Sequence, residues 1–247
     1  MIKYIFLGIT QGLTEFLPVS SSGHLVIVEK LLGMKFDDVA LQLVLHLGTI
    51  LAVVIFLRRD ILALLKDRRG IILVLVTTAI TGVIGIAGKK IFTGLFERVD
   101  LLAPQMAFTG IVLLATGWVK AGERVKLGMW DAVIVGLAQA LAIVPAISRS
   151  GMTIAALLFR KVSRRQCFTF AFLVSVPAVL GASLIECKDI GSAAATGFSS
   201  LAAGFVASLF SGLAALWVLR KAVVSDKFHY FGYYCLVLAG VLYIWLK

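Results

Sequence analysis

Long apolar segments separated by short polar ones dominate the pattern along the chain. Six of these segments approach the ~20 residues that an α-helix needs to cross the hydrocarbon core of a bilayer. They lie near residues 41–57, 71–88, 101–119, 167–187, 201–219 and 228–246. The apolar runs are continuous rather than alternating, which favours helices over the strands of a membrane barrel. The pattern predicts an all-α integral membrane protein with six transmembrane helices.

Two further apolar units, about residues 2–33 and 129–159, are each interrupted by a polar segment. The arms on either side of each interruption are too short to cross the bilayer alone. Non-helical backbone is tolerated at membrane depth only where it is buried in protein or lines a water-filled cavity. We therefore predict that each unit is a re-entrant helix-loop-helix hairpin.

The two interrupted units resemble each other when the sequence is shifted by 128 positions. The shift superimposes Gln11 on Gln139 and Ser20 on Ser148. We predict one membrane domain built from two inverted-topology repeats, about 1–119 and 129–247. Repeats of this kind place a binding site where their broken helices meet, near the bilayer midplane.

Composition and charge support a membrane protein and not a nucleic-acid-binding one. Hydrophobic residues make up 60% of the chain, and the mean hydropathy is +1.02. The net charge is +11, but 15 of the 24 lysines and arginines lie in four short loops between spans, at 58–70, 120–128, 160–166 and 220–227. The positive-inside rule places these loops in the cytoplasm and both termini outside, in a multi-pass plasma-membrane protein.

Two ionisable residues, Glu15 and Arg149, lie among apolar neighbours in the interrupted units. Ionisable side chains at membrane depth are costly and are by default candidates for a functional site. Gln11 shares a helical face with Glu15, since the two are four residues apart. The alternative is a purely structural salt bridge between Glu15 and Arg149.

The polar segments themselves have the composition of an anion site. Ser20-Ser21-Ser22-Gly23-His24 and Ser148-Arg149-Ser150 each open a new apolar arm. Backbone N–H groups at a helix N-terminus favour phosphate, and arginine adds bidentate donors. Helix capping by serine is the alternative, but capping accounts for one serine at the first interruption and not for three followed by Gly-His. The sequence therefore predicts a phosphate site shared by the two hairpins.

At these motifs the chain resembles the undecaprenyl-diphosphate phosphatase family, also known as bacitracin-resistance proteins. The first family signature, with its Glu/Gln-x-x-x-Glu element, is matched by residues 11–24, QGLTEFLPVSSSGH, and the second by residues 148–153, SRSGMT. The match continues through residues 46–53 and 172–182, so that it spans nearly the whole chain. Two departures are Gln11, where many members have Glu, and Ala146, where the family usually has Gly.

The resemblance implies an enzyme that hydrolyses undecaprenyl diphosphate to the monophosphate and inorganic phosphate. This reaction recycles the lipid carrier of cell-wall synthesis and confers bacitracin resistance. The resemblance also implies the inverted-repeat fold, an active site open to the outer side, and a divalent metal ion, Mg²⁺ or Ca²⁺. The implied catalytic residues are Glu15, Ser21, His24 and Arg149. The implied substrate-binding residues are Gln11, Ser20, Ser22, Ser148, Ser150 and Thr153, and Glu15 is also a candidate metal ligand.

Several alternatives stay open at the level of the sequence. Ser21 is the preferred nucleophile, activated by Glu15 or His24, but direct attack by water is equally compatible with the motifs. A transporter or flippase of polyprenyl phosphate lipids could use the same anion site, because inverted repeats with broken helices are typical of transporters. The expected partners are the polyprenyl diphosphate lipid and the bilayer, with a homodimer as an alternative to the monomer, and nucleic acid is not expected.

Overall fold

The computed structural model describes residues 1–32, 39–96, 98–120, 122–186 and 197–245. These residues form helices, and no β-strand occurs among them, which confirms the predicted all-α class. Their α-helices are α1 (Ile2–Phe16), α2 (Ser21–Leu32), α3 (Val39–Phe56), α4 (Arg58–Leu64), α5 (Arg68–Ala87), α6 (Lys89–Phe96), α7 (Leu102–Ala115), α8 (Met129–Leu141), α9 (Arg149–Phe159), α10 (Arg164–Glu186), α11 (Phe198–Val224) and α12 (Tyr230–Trp245). Short 3₁₀ turns, Val99–Leu101 and Thr116–Trp118, flank α7.

Several of these helices are long and apolar enough to cross a membrane. Among the described residues, four qualify alone: Arg68–Ala87, Val99–Trp118, Arg164–Ser183 and Phe198–Val224. A fifth span results if α3 and α4, which meet at an angle of 76°, count as one. The predicted sixth span corresponds to α12, which has 16 residues. The chain is therefore a multi-pass membrane protein, as predicted. Residues 33, 187, 246 and 247, at the ends of predicted segments and repeats, lie outside the described residues.

The first interrupted unit is broken by its proline. Leu17, which precedes Pro18, adopts an extended conformation with φ −62° and ψ 143°. A residue before proline is pushed out of the helical region, so α1 ends at Phe16. The chain then turns through Ser20, whose φ is +67°, and α2 begins at Ser21.

The second interrupted unit breaks in a similar way. Helix α8 ends at Leu141, shortly before Pro145, and α9 begins at Arg149. Ser148 caps α9, because its hydroxyl accepts the backbone N–H of Gly151 at 3.1 Å. The observed arms coincide with the predicted unit 129–159.

The first arm of each unit packs on a long helix from the other half of the sequence. Helix α1 lies along α11, and α8 lies along α5. A methyl group at Gly8 would overlap Gly204 of α11, and one at Gly136 would come within 3.0 Å of Ile80 of α5. These small residues permit the close approach of the helices. The tips of the two units, residues 15–24 (the first tip) and 145–153 (the second tip), are consequently held between helices of both halves.

The interior is filled mainly by apolar side chains of α7, α9 and α10. Met106, Leu157 and Phe168 are among the largest fully buried side chains, and Phe168 packs at 4.8 Å from Phe172 between ring centroids. Many large apolar side chains on the outer faces of the spans, Ile72 and Val237 among them, are exposed. Such an outer surface suits contact with lipid.

An ion-pair cluster holds together the ends of α8 and α9 that lie away from the tip. The fully buried Asp131 accepts hydrogen bonds from Arg124, Arg160 and the backbone N–H of Gly128. Burial alone would raise the pKa of the Asp131 carboxyl, but these hydrogen bonds outweigh it and hold that pKa well below its usual range. The carboxylate therefore stays charged and closes the open end of the second hairpin.

Candidate functional site

Glu15 is the centre of the first tip. It occupies the last turn of α1, and its Oε2 accepts the Ser21 hydroxyl at 2.8 Å and the Gln11 side-chain amide at 3.2 Å. The positive φ of Ser20 turns the chain back so that the start of α2 faces the end of α1. The geometry gives the Ser21 oxygen a carboxylate acceptor for its proton, which is the arrangement of a nucleophile and a base.

Thr109 of α7 shapes the second tip. Ala146 adopts a left-handed conformation with φ +56°. The Thr109 hydroxyl, fully buried, donates to the carbonyl oxygen of Ala146 at 3.2 Å and accepts the backbone N–H of Ser148 at 3.3 Å. The Ser148 and Ser150 hydroxyls lie 3.3 Å apart, and Thr153 donates to the carbonyl oxygen of Arg149 at 2.9 Å.

The two tips bind each other directly. The backbone N–H of Ala146 donates to the Ser22 hydroxyl at 3.2 Å, and Ser22 in turn lies 3.1 Å from the Ser20 hydroxyl. Arg149 Nη1 reaches Glu15 Oε1 at 3.3 Å, between side chains that are 34% and 10% exposed. The predicted convergence of the two motifs is therefore present in the structure.

Donor groups at the tip remain available for an anion. Among the described residues, no acceptor is found for the backbone N–H groups of Ser21, Ser22 and Gly23, or for those of Arg149 and Ser150. Each set lies at the N-terminus of a helix longer than ten residues. The partial positive charge of two helix N-termini thus adds to the Arg149 guanidinium.

A narrow pocket opens at the Glu15–Arg149 pair. Besides Glu15 and Arg149, its polar lining residues are Thr49, Ser150, Thr153 and Ser175. Its remaining wall is apolar and comes mainly from α3 and α10, with Ile50, Val53, Phe172, Val176 and Val179. The pocket therefore combines an anion-binding end with a wall suited to a hydrocarbon chain.

His24 lies apart from the Glu15–Ser21 pair. Its Nδ1 is 2.8 Å from the carbonyl oxygen of Ser20, which can only accept, so Nδ1 carries the proton. Its Nε2 then accepts the Tyr234 hydroxyl at 2.7 Å. No hydrogen bond joins His24 to Glu15 or Ser21 among the described contacts.

The structure thus groups most of the residues predicted from sequence. Gln11, Glu15, Ser21 and Arg149 share one hydrogen-bonded cluster; Ser20, Ser22, Ser148, Ser150 and Thr153 build the two tips around it. Sequence reasoning did not select Thr49, Thr109, Ser175 and Tyr234. A lone serine or threonine in an apolar helix commonly bonds its own backbone, and the partner of Tyr234 lies on another helix, so no pattern in the sequence indicated these four residues.

Comparison with known proteins gives a consistent result. The model of the family described as "Bacitracin resistance protein BacA" matches residues 4–241. A protein named undecaprenyl-diphosphatase from Thermotoga maritima is 40% identical over 243 residues, which cover 97% of this chain and 98% of that protein. Proteins of the same name from Alkaliphilus metalliredigens and Carboxydothermus hydrogenoformans are 38% and 36% identical, over 97% of this chain in both cases and over 96% and 95% of their own lengths.

Proposed function

Because the chain belongs to the bacitracin resistance protein BacA family, we propose that it is an undecaprenyl-diphosphatase, the activity for which its relatives are named. It hydrolyses undecaprenyl diphosphate to undecaprenyl phosphate and inorganic phosphate, recycling the lipid carrier of cell-wall synthesis and conferring resistance to bacitracin. The observation that carries this proposal is the convergence of Glu15, Ser21 and Arg149, from two hairpins, beside the available N–H donors at the starts of α2 and α9.

The diphosphate binds between the two tips in this proposal. Arg149 donates in the bidentate manner that phosphate geometry favours, and the free N–H groups at the starts of α2 and α9 surround the terminal phosphoryl group. The Ser20, Ser22, Ser148 and Ser150 hydroxyls orient these backbone segments and supply further donors. Charge that spreads over the phosphoryl oxygens during transfer is stabilised by the same groups.

Ser21 acts as the nucleophile. Its hydroxyl transfers its proton to the Glu15 carboxylate while its oxygen attacks the terminal phosphorus, and the bond from that phosphorus to the bridging oxygen breaks to release undecaprenyl phosphate. Water then attacks the phosphoserine, and inorganic phosphate leaves as the Ser21 hydroxyl is restored. The 2.8 Å contact with Glu15 supports Glu15 as the base. Direct attack by a water bound to Glu15 is the competing route.

The residues present fit a Mg²⁺ or Ca²⁺ ion shared with the substrate better than one held by protein alone. Among the described residues, no group of three or more His, Cys, Asp or Glu side chains could hold a metal. The carbonyl oxygen of the buried Gln11 side chain, however, has no hydrogen-bond partner among those residues, and the amide nitrogen of the same side chain donates to Glu15 Oε2 at 3.2 Å. Magnesium ions are commonly held by one or two carboxylates with substrate phosphates and water. Glu15 and Gln11 would hold the ion, which would neutralise phosphate charge.

The remaining features concern the membrane. The isoprenyl chain lies along the apolar wall between α3 and α10, with its far end in lipid. The active site opens to the outer side in this proposal. The four loops assigned to the cytoplasm carry an excess of positive charge, which supports this orientation. The crossed packing of α1 on α11 and of α8 on α5 supports two inverted repeats. The homodimer stays a prediction.

Reconstituted protein distinguishes this enzyme from a lipid carrier. Vesicles that contain undecaprenyl diphosphate are assayed in parallel for inorganic phosphate release and for movement of the lipid between leaflets, with wild type and Ser21→Ala, with and without chelator. Release that requires Ser21 supports the enzyme, and its loss with chelator supports the metal. Lipid movement without any phosphate release would instead support the carrier and overturn the proposal.

A further inference from the structure

Helix α12 contributes a side chain to the first tip from 210 residues away. The Tyr234 hydroxyl lies 2.7 Å from His24 Nε2, and the two rings are nearly parallel, at 8° with centroids 5.7 Å apart. The neighbouring Cys235, fully buried, donates its thiol to the carbonyl oxygen of Pro18 at 3.4 Å. Two consecutive residues of α12 therefore contact the same tip.

The position of Tyr234 is set by the packing of its helix. Helix α12 lies against α7, and at Gly110 and Gly232 the two backbones come so close that a methyl group on Gly232 would lie 2.7 Å from the Gly110 carbonyl oxygen. A helix seated this closely has little freedom to slide or rotate. The Tyr234 hydroxyl is consequently held at a defined point beside the tip.

His24 is fixed at both of its ring nitrogens. Nδ1 donates to the carbonyl oxygen of Ser20, and Nε2 accepts from Tyr234. Together the two contacts select one tautomer and one ring orientation. The hydrogen bond at one imidazole nitrogen commonly determines whether the other nitrogen carries a proton. A phenol can also rotate and accept, so the same hydroxyl can serve a protonated imidazole.

We propose that Tyr234 is a positioning residue that holds the His24 imidazole in its working tautomer and orientation. This inference rests on the proposed function and on the catalytic role that the family resemblance implies for His24. Tyr234 acts through His24 and need not touch the substrate. Its contribution therefore appears in turnover and depends on the presence of His24.

The test compares Tyr234→Phe with a matched control, Tyr233→Phe, on the same helix. Both variants keep the aromatic ring and lose one hydroxyl, but the Tyr233 hydroxyl has no hydrogen-bond partner among the described residues, and the Tyr233 ring contacts Tyr230 instead. We expect kcat for phosphate release to fall roughly tenfold in Tyr234→Phe with KM nearly unchanged, as for the loss of one hydrogen bond. Tyr233→Phe should match wild type. Full activity of Tyr234→Phe would overturn the proposal.

A double-mutant cycle with His24→Ala shows whether the two residues act as a unit. We expect Tyr234→Phe to cause no further loss when His24 is already alanine. Multiplicative losses in the double variant would mean that Tyr234 acts independently of His24. Wild-type activity of His24→Ala would show that His24 has no role for Tyr234 to support. Either result would overturn the inference. If wild type itself releases no phosphate, the proposed function fails instead.

A spectroscopic readout tests the contact without activity. The chain has three histidines. In protein labelled with ¹⁵N-histidine, Tyr234→Phe should shift the Nε2 resonance of His24 alone. Unchanged resonances would overturn the assigned hydrogen bond even if phosphate release had fallen.

Discussion

Thr109 and Ala146 connect the two halves of the sequence: a hydroxyl of α7 donates to the carbonyl oxygen of a left-handed residue in the second tip, at 3.2 Å. Because the same hydroxyl also accepts the N–H of Ser148, one side chain holds both ends of the turn that leads into Arg149. The residue that binds phosphate in the proposed mechanism is therefore placed by a residue without any part in the chemistry.

Thr109→Val should lower the stability of the protein and its affinity for the substrate. The isosteric change leaves a buried N–H and a buried carbonyl without a partner, which costs about 1–3 kcal/mol. We expect a lower unfolding temperature and a higher KM, both restored in Thr109→Ser. Thr78→Val is the matched control, since the Thr78 hydroxyl donates within its own helix, to Val74. Equal effects of the two valine substitutions would contradict a specific role for Thr109.

Position 146 should tolerate a substitution by glycine but not one by valine. At φ +56° a side chain in the left-handed region costs about 1–2 kcal/mol, whereas the buried methyl group contributes only about 0.8 kcal/mol. We expect Ala146→Gly to unfold at or slightly above the temperature of wild type, and β-branched Ala146→Val to unfold far below it. Thermal unfolding of the solubilised protein measures both. A lower unfolding temperature for the glycine variant than for the valine variant would refute this account of the turn.

Gln11→Glu should increase the affinity for a divalent ion. The substitution places a second carboxylate where the Gln11 amide now donates to Glu15 Oε2, and carboxylates are preferred ligands of Mg²⁺ and Ca²⁺. We expect phosphate release to saturate at a lower metal concentration, and calorimetry to show tighter binding of the ion. An unchanged metal requirement in both measurements would exclude this position as a ligand.

Gln11→Leu provides the complementary test, with Gln139→Leu as its control. Both glutamines are buried, and in both the side-chain oxygen has no partner among the described residues. Gln139, however, donates to the Thr81 hydroxyl, whereas Gln11 donates to the Glu15 carboxylate. We expect Gln11→Leu to lose most of its phosphate release and Gln139→Leu to retain it. Similar losses in the two variants would indicate packing rather than ion or substrate binding.

Asp131→Asn should destabilise the second hairpin without altering the chemistry. The change leaves Arg124 and Arg160, which are 37% and 33% exposed, beside a neutral side chain. Each hydrogen bond to a charged group typically contributes about 1.5–3 kcal/mol. We expect a markedly lower unfolding temperature but near-normal KM in the fraction that remains folded. A normal unfolding temperature would show that the cluster does not hold the hairpin closed.

The sequence was sufficient for much of this fold because bilayer physics restricts the choices. Continuous apolar runs predicted the helices, and Pro18 and Pro145 marked the two breaks within a few residues. The bend between α3 and α4 and the short helix α6 were not predicted, because polar residues such as Arg58 and Lys89 are as compatible with a loop as with a helix.

The site was predictable only in part. Glu15 and Arg149 were conspicuous because charge is rare within apolar segments. Thr109 and Tyr234 were not, because their roles depend on which helices become neighbours, and the pairing of α7 with the second tip and of α12 with the first is a tertiary property. The partner of His24 likewise had no local signal. Long-range packing thus determines the parts of the site that motif spacing does not contain.

The most direct test of a single site built from both hairpins is phosphate release from undecaprenyl diphosphate by Glu15→Gln and Arg149→Ala, with the unfolding temperature measured on the same preparations. We expect each variant to remain folded, while its phosphate release falls by about 10³-fold or more, in the range typical of a removed base or phosphoryl-binding arginine. Folded protein with near-wild-type release in either variant would contradict this expectation.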